Sequence, residues 1–416
     1  MNTLLKGVWP LFLAIGFLMT GNGLQGTLLG LRATFEGFDE ATIGLIMSSY
    51  SSGFLLSSLL TPKQIGNVGH IRVFAAFASI ASTTVLLHAV FPVAWFWMLL
   101  RFCTGVAIAG LYVVAESWLN EASTNETRGK TISFYMVITY ACMALGQSIL
   151  LFVQPESFLP FIIISIFVSM ALVPISLSDT PAPRIMVPRS ISLSKLYNNS
   201  PLGFLTCLAA GMSQGALFGM GAVFCAKVGL SVMQTGMVMA AGLISVVPFQ
   251  FLIGWISDRV DRRWAIVGLA ILVGALTTFA AVAGKTGFVE LIMIFGMFGA
   301  FSLPIYSLAI AHTNDFLEAD DMLGASSKLV FVSGCGMVIG PILVGILMTY
   351  VSVASFFAYT AVIHLILAGF AIWRMTRRAT VSVDERGDFV LVAARATQVA
   401  AVTAVEEAEE HETTPL

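Results

Sequence analysis

The chain has 416 residues, 57% of them hydrophobic and 11% charged, with a formal net charge of -2. A soluble domain carries roughly a quarter of its residues as charges to cover its surface, so a chain this poor in charge is built to face hydrocarbon. The near-neutral balance leaves no basic surplus for nucleic acid. The five cysteines all fall inside apolar runs, without CxxC spacing or a Cys/His cluster, which argues against a disulfide scaffold or a metal centre.

In chain order, apolar runs expected to form helices fall near 9–31, 42–61, 72–91, 95–118, 131–153, 158–177, 201–223, 233–256, 264–283, 288–312, 325–349 and 353–374. Each is long enough to cross a bilayer core, for which about 20 apolar residues suffice. The first run follows Lys6 and has no small-residue cleavage site, so it reads as a membrane helix and not as a removable signal. Between the sixth and seventh runs lies SDTPAPRIMVPRSISLSKLYNNS, the longest internal polar stretch and the natural linker between two bundles. After Arg374 the hydropathy collapses, and the tail starts basic and ends EEAEEHE, the composition of a solvated, disordered segment. The expected organisation is an all-α membrane protein of about twelve helices: a six-helix bundle over 1–177, a linker over 178–200, a second bundle over 201–374 and a tail over 375–416.

Basic residues set the orientation. With the N-terminus in the cytoplasm, Lys63, Arg72, Arg128, Lys130, Arg259, Arg262, Arg263 and the basic residues of the linker and tail lie inside. Only Arg32, Lys227 and Lys285 then lie outside. The positive-inside rule expects that asymmetry, with both termini cytoplasmic.

The two halves repeat. GLQGTLLGLRATF at 23–35 aligns with MSQGALFGMGAVF at 212–224, pairing Gln25 with Gln214 and Gly30 with Gly219. Further on, Gly44 and Met47 pair with Gly236 and Met239, and Tyr112, Asn120, Met143 and Gly146 pair with Tyr306, Asn314, Met337 and Gly340. A slowly drifting offset over four helix pairs implies duplication of a six-helix unit.

The loop after the eighth run reads GWISDRVDRR, with Gly254, Asp258, Arg259, Asp261, Arg262 and Arg263. It resembles the signature loop of the major facilitator superfamily, G-x-x-x-D-R-x-G-R-R. Its first-half counterpart, PKQIGNVGHIR, has Pro62, Gly66 and Asn67 where Gly, Asp and Arg would stand, so the resemblance implies a charge latch in the second half and a degraded one in the first. Arg101 and Gly105 in the fourth helix resemble an arginine motif of the same family. GCGMVIGPILVG in the eleventh resembles its antiporter glycine-proline motif, displaced from the fifth helix, where this chain has Gly146-Gln147. The phrases GLQGTLLGLRA, VVAESWLNEA and YSLAIAHTND resemble the YcaD-like branch of bacterial porters. The resemblance covers residues 9–374 and implies the facilitator fold in a bacterial inner membrane.

Polar groups within apolar helices are functional candidates by default. Asn22, Gln25, Leu29 and Arg32 share one face of the first helix. Arg101, Gly105, Ala109, Tyr112 and Glu116 share one face of the fourth. If the fold is that of the family, the first and seventh helices line the cavity, which makes Gln25 and Gln214 a pseudo-symmetric pair, joined by Gln147 and Tyr306. For Asn22, Gln25, Gln147 and Gln214, interhelical hydrogen bonding is the competing reading. For Arg101 the alternative is snorkelling to the outer interface, and for Arg32 it is anchoring there. YVVAESWLNEASTNETRG resembles the junction of sugar-porter facilitators at which a carboxylate pairs with loop arginines. That assigns Glu116 with Arg128 a gating role, ahead of direct proton transfer, with Asp315 as near-equivalent in the second half. Gly254, Asp258, Arg259 and Arg262 complete the gating set. His88, His312, His364 and Lys328 read as satisfied or interfacial residues.

No Asp or Glu falls in the middle third of any expected helix. The expected function is a secondary transporter moving a small organic solute by alternating access. Efflux of a drug or metabolite, proton-coupled or not, leads over uptake. A non-transporting sensor or assembly factor of the same fold is the alternative class. No catalytic motif is present, and no cofactor, metal or obligatory oligomer is expected.

Overall fold

The computed structural model describes residues 2–122, 128–177, 191–283, 287–317, 319–377 and 397, with backbone alone for 2–8, 121, 122, 128–130, 319, 320 and 323. Among these, twelve helices are long and apolar enough to cross a membrane: Trp9–Phe35, Glu40–Val68, His70–Val90, Ala94–Asn120, Thr131–Leu151, Leu159–Ser176, Pro201–Lys227, Val232–Ser257, Arg262–Val282, Phe288–Asn314, Gly324–Tyr350 and Ser355–Met375. They are numbered spans 1 to 12 below. Helices answer the requirement that every backbone polar group be satisfied within its own segment where no water is available. The fold is all-α, two pseudo-symmetric six-helix bundles.

Prolines account for the breaks within spans. Span 6 is interrupted at Ala171, between Leu159–Met170 and Leu172–Ser176. Span 8 is interrupted at Ser245, between Val232–Ile244 and Val246–Ser257. Each break lies three residues before a proline, Pro174 or Pro248, as expected of a residue that lacks an N–H and presses its ring on the preceding turn. Span 10 breaks at Leu303 and Pro304.

Span 2 departs from expectation. The sequence predicts an end near residue 61, at Pro62, yet the helix runs to Val68 and ends at Gly69, whose φ of 88° only glycine adopts easily. Pro62 is accommodated beside Ser57 and Thr61, whose hydroxyls lie 2.9 Å apart, and Ser58, whose hydroxyl bonds the Leu55 carbonyl at 2.9 Å. The linker also holds a short helix, Leu193–Asn199, capped by Ser192, which accepts from the Lys195 N–H. Lys195 reaches Asp321 at the start of the span 11 helix.

The two halves interlock at one end, the end carrying Phe35 and Lys227. Span 2 and span 11 meet so closely that a side chain on Gly44 would fall on the Pro341 carbonyl, and one on Gly345 on the Glu40 carbonyl. The Ser48 hydroxyl donates to the Val338 carbonyl at 2.6 Å, and the Ala41 N–H to the Thr349 hydroxyl at 2.9 Å. Lys227 of span 7 pairs with Glu40 of span 2 at 2.6 Å. Towards the other end, spans 2 and 11 still touch, Leu55 against Gly334, and together with Tyr306 they line a cleft.

Candidate functional site

In the first half, spans 1, 2 and 4 carry a polar and aromatic network at mid-depth. Asn22 donates through Nδ2 to the Tyr112 hydroxyl at 2.8 Å and accepts from the Tyr50 hydroxyl at 3.3 Å. Tyr112 in turn bonds the Met19 sulfur at 3.0 Å. The Arg101 guanidinium lies 4.2 Å above the Tyr50 ring and its Nη2 is 3.9 Å from the Met47 sulfur. Arg101 is buried against span 2 and does not snorkel to the outer interface. A cation held over an aromatic face in a dry site is stabilised by the ring quadrupole.

The two repeat-related glutamines are buried, and both are short of partners: Nε2 of Gln25 and both polar atoms of Gln214 make no hydrogen bond. Buried amides in that condition are rare and ask for an explanation. Gln147 differs. Its Oε1 accepts from the Thr27 hydroxyl and so ties span 5 to span 1. Tyr306 lies on the cleft between the halves, together with Tyr50, Phe54, Leu55, Ser333 and Met337.

Glu116 accepts from the Tyr135 hydroxyl at 2.7 Å and from the hydroxyl of Thr397. The Arg128 side chain, its expected partner, lies outside the described residues. Thr397 is fully buried, whereas hydropathy gives every tail residue a solvated place. A buried carboxylate recruits a hydroxyl that no hydropathy average detects.

The loop between spans 8 and 9 forms a latch. Arg262 is buried, with Nη2 3.1 Å from Asp258, Nη1 on Asp315 and a further bond from Nη1 to the Ala311 carbonyl at 3.1 Å. This ties together the ends of spans 8 and 10 and the start of span 9. Gly254 places its carbonyl where the Asp258 N–H bonds it at 3.1 Å, closing the last turn of span 8. Arg259 stands apart: it stacks on Trp255 at 4.1 Å and bonds that residue's carbonyl. Arg263 pairs with Asp261, which also caps span 9 by accepting from the Arg263 N–H.

The remaining candidates take structural partners. Arg32 pairs with Glu36 at 2.6 Å and bonds the Pro155 carbonyl at 3.1 Å. The ring Nδ1 of His88 lies 2.6 Å from the Thr84 carbonyl. That of His364 lies 2.8 Å from the Thr360 carbonyl, with its Nε2 3.1 Å from the Ser302 hydroxyl. Sequence reasoning passed over Tyr50 and Thr27. For Tyr50 a signal existed: an aromatic hydroxyl among four serines, four residues before Phe54 and three after Met47. Thr27 carried none, because threonine is common in membrane helices.

Two repeated six-helix halves, joined at one end and lining a cleft at mid-depth, define the architecture of a secondary transporter. The chain belongs to the major facilitator superfamily, whose family model matches residues 11–248 and again 202–404. It is therefore a multi-pass membrane transporter and not an enzyme. The chain is 26% identical over 353 residues to the uncharacterized MFS-type transporter YcaD of Escherichia fergusonii, covering 84% of this chain and 89% of that protein. It is likewise 26% identical over 333 residues to the uncharacterized MFS-type transporter YE1530 of Yersinia enterocolitica, covering 77% and 84%. Among solved structures, the nucleoside transporter NupG superimposes with a TM-score of 0.73 at 15% identity, over 91% of this chain and 100% of that one. A bacterial homolog to the human lysosomal transporter Spinster, in its inward-facing and occupied conformation, gives 0.68 at 15% identity over 90% and 97%.

Proposed function

We propose that this transporter moves a small organic solute, uncharged or anionic, by closing its two halves alternately over the cleft beside Tyr50 and Tyr306. The observation that carries the reading is the unequal interface between the halves. At the Lys227 end spans 2 and 11 are in backbone contact at Gly44 and Gly345, and deeper in the membrane the same two spans line an open cleft. With basic residues assigned to the cytoplasm, the closed end faces outward, the cleft belongs to an inward-facing state, and both termini are cytoplasmic. The bacterial relatives support an inner-membrane location.

The lining supports the solute class. Aromatic rings, hydroxyls and a thioether surround the cleft, no carboxylate among the described residues lines it, and the Arg101 guanidinium backs the Tyr50 ring. A cationic solute is disfavoured by that charge, while an anionic or neutral ring system is not. Gln25 and Gln214 are the amides available to orient it. Glu116, near the inner end of span 4, serves gating rather than carrying a proton across the membrane; its bonds from Tyr135 and Thr397 support that reading. The chain works as a monomer, its site being built within one polypeptide.

Flux into liposomes of a panel of labelled solutes, aromatic carboxylates, neutral aromatics and nucleosides among them, with and without a pH gradient, tests the proposal. A Glu116→Gln variant that keeps pH-dependent flux fits the gating role. Arg101→Ala is expected to reduce flux to background while the protein stays folded. Wild-type flux in that variant would remove Arg101 from the mechanism.

A further inference from the structure

At the Arg262 end of the second half, apart from the cleft, Ser200, Pro201, Arg263, His312, Phe316 and Arg374 line a second, solvent-open cavity. It lies where spans 7 and 9 begin and spans 10 and 12 end. Four features point to one kind of occupant.

First, the cavity opens on the N-terminus of span 7, a 27-residue helix. The first intrahelical bond is from the Phe204 N–H to the Ser200 carbonyl, and Pro201 has no N–H. The Leu202 and Gly203 N–H groups therefore precede the helical ladder, at the positive end of the helix dipole. Second, Ser200 occupies the N-cap but makes no capping bond. It is only 1% exposed and its hydroxyl has no partner. An N-cap serine ordinarily closes on the first turn, and a buried hydroxyl left open is costly unless something else takes it. Third, the lining is cationic. Arg263 is committed to Asp261 at 2.6 Å, but Arg374 has no carboxylate partner among the described residues, and His312 adds a ring nitrogen. Fourth, Trp255, Trp264 and Trp373 are exposed at the same end of spans 8, 9 and 12. Exposed tryptophans at one level mark the headgroup layer of a bilayer, and basic pockets between helices at that level suit anionic headgroups.

We propose that this cavity binds the phosphate group of an anionic ligand. The Ser200 hydroxyl and the first N–H groups of span 7 donate to the phosphate oxygens, and Arg374 supplies the charge. A phospholipid headgroup and free phosphate share this chemistry. The site is separate from the solute cleft, so it stands or falls independently of the transported substrate.

The test is native mass spectrometry of the purified full chain in detergent, titrated in separate arms with phosphatidylglycerol, phosphatidylcholine and inorganic phosphate. Preferential retention of phosphatidylglycerol over phosphatidylcholine, weakened about tenfold in Arg374→Gln, supports the site and assigns it to lipid. Retention of inorganic phosphate without any lipid preference, lost in the same variant, supports the site and assigns it to a soluble anion. Should Arg374→Gln fail to fold, Ser200→Ala removes a single oxygen and is expected to weaken the same binding about threefold. Neither a phosphatidylglycerol preference nor phosphate retention in the wild-type protein, or binding that survives both substitutions, overturns the proposal.

Discussion

The two halves repeat one six-helix pattern, yet they hold their charges in different places. The first half keeps its buried cation at mid-depth, where Arg101 lies over Tyr50 beside the Asn22–Tyr112 bond. The second half keeps its buried cations at the membrane edge, where Arg262 is clasped by Asp258 and Asp315 and Arg263 by Asp261. At the corresponding edge of the first half span 2 runs on through Pro62, and His70 packs on Trp118 with ring centroids 5.7 Å apart. A duplicated frame thus leaves each copy free to specialise. Helix packing is set by small residues and apolar faces that both halves retain. The ion pairs sit on a few positions that can change without altering the fold.

Substitutions can break that contrast, and the largest effect is expected at the latch. Asp315→Ala leaves Arg262 buried with one carboxylate fewer, at a cost of about 3 kcal/mol. A clear drop in thermal midpoint, absent for Arg259→Ala because Arg259 is outside the latch, is the expected result. Equal midpoints for the two variants would show that the second half does not depend on its buried pair. Gly44→Val comes next. Its side chain meets the Pro341 backbone, and forcing the halves apart at the closed end costs about 1–3 kcal/mol. A cysteine placed at Ser48 should then label readily from outside, whereas in the parent it is shielded. Tyr112→Phe removes the hydroxyl between Asn22 and Met19 and is expected to cost about 1 kcal/mol. Flux should fall with it if the mid-depth network is functional, and hold if it is packing alone.

The smallest effect lies outside the spans. Asp39 caps span 2 by accepting from the Thr42 N–H at 2.8 Å. That backbone bond, ahead of opposing desolvation, holds its carboxyl below the usual carboxylate value. A carboxyl depressed in the folded state contributes stability above its unfolded pKa, and that contribution disappears as pH falls through the folded value. Asp39→Ala should therefore lower stability by about 0.5–1 kcal/mol at neutral pH, with the difference from wild type shrinking in acid. A difference unchanged at low pH would show that the charge is not involved.

Much of the fold was legible in the sequence because hydropathy has the right length scale. A run that must cross hydrocarbon announces itself over its whole length, and a glycine at a close crossing recurs when the unit is duplicated. The expected runs and the twelve spans agree closely, except where a local device intervened, as at Pro62. The candidate site was legible in part. Asn22, Tyr112 and Arg101 were singled out from spacing on spans 1 and 4, and the structure brings them together. Tyr50, the partner of Asn22 and Arg101, sits on span 2 and was missed. The partners of Gln147 and Glu116 were likewise out of reach: Thr27 lies 120 positions away and Thr397 lies 281 positions away.

By itself, then, the sequence determined the spans, the duplication and the family-like loop, all properties of consecutive residues or of a regular offset. Only the tertiary structure decided which polar groups meet. It put Arg262 between two carboxylates, left Arg259 on Trp255, tied Gln147 to Thr27 and left Gln214 unbonded. The physical reason is range. Hydrophobic matching to a bilayer acts on a segment whatever its neighbours, whereas a hydrogen bond or ion pair forms within about 3 Å and depends on which helices the fold sets side by side.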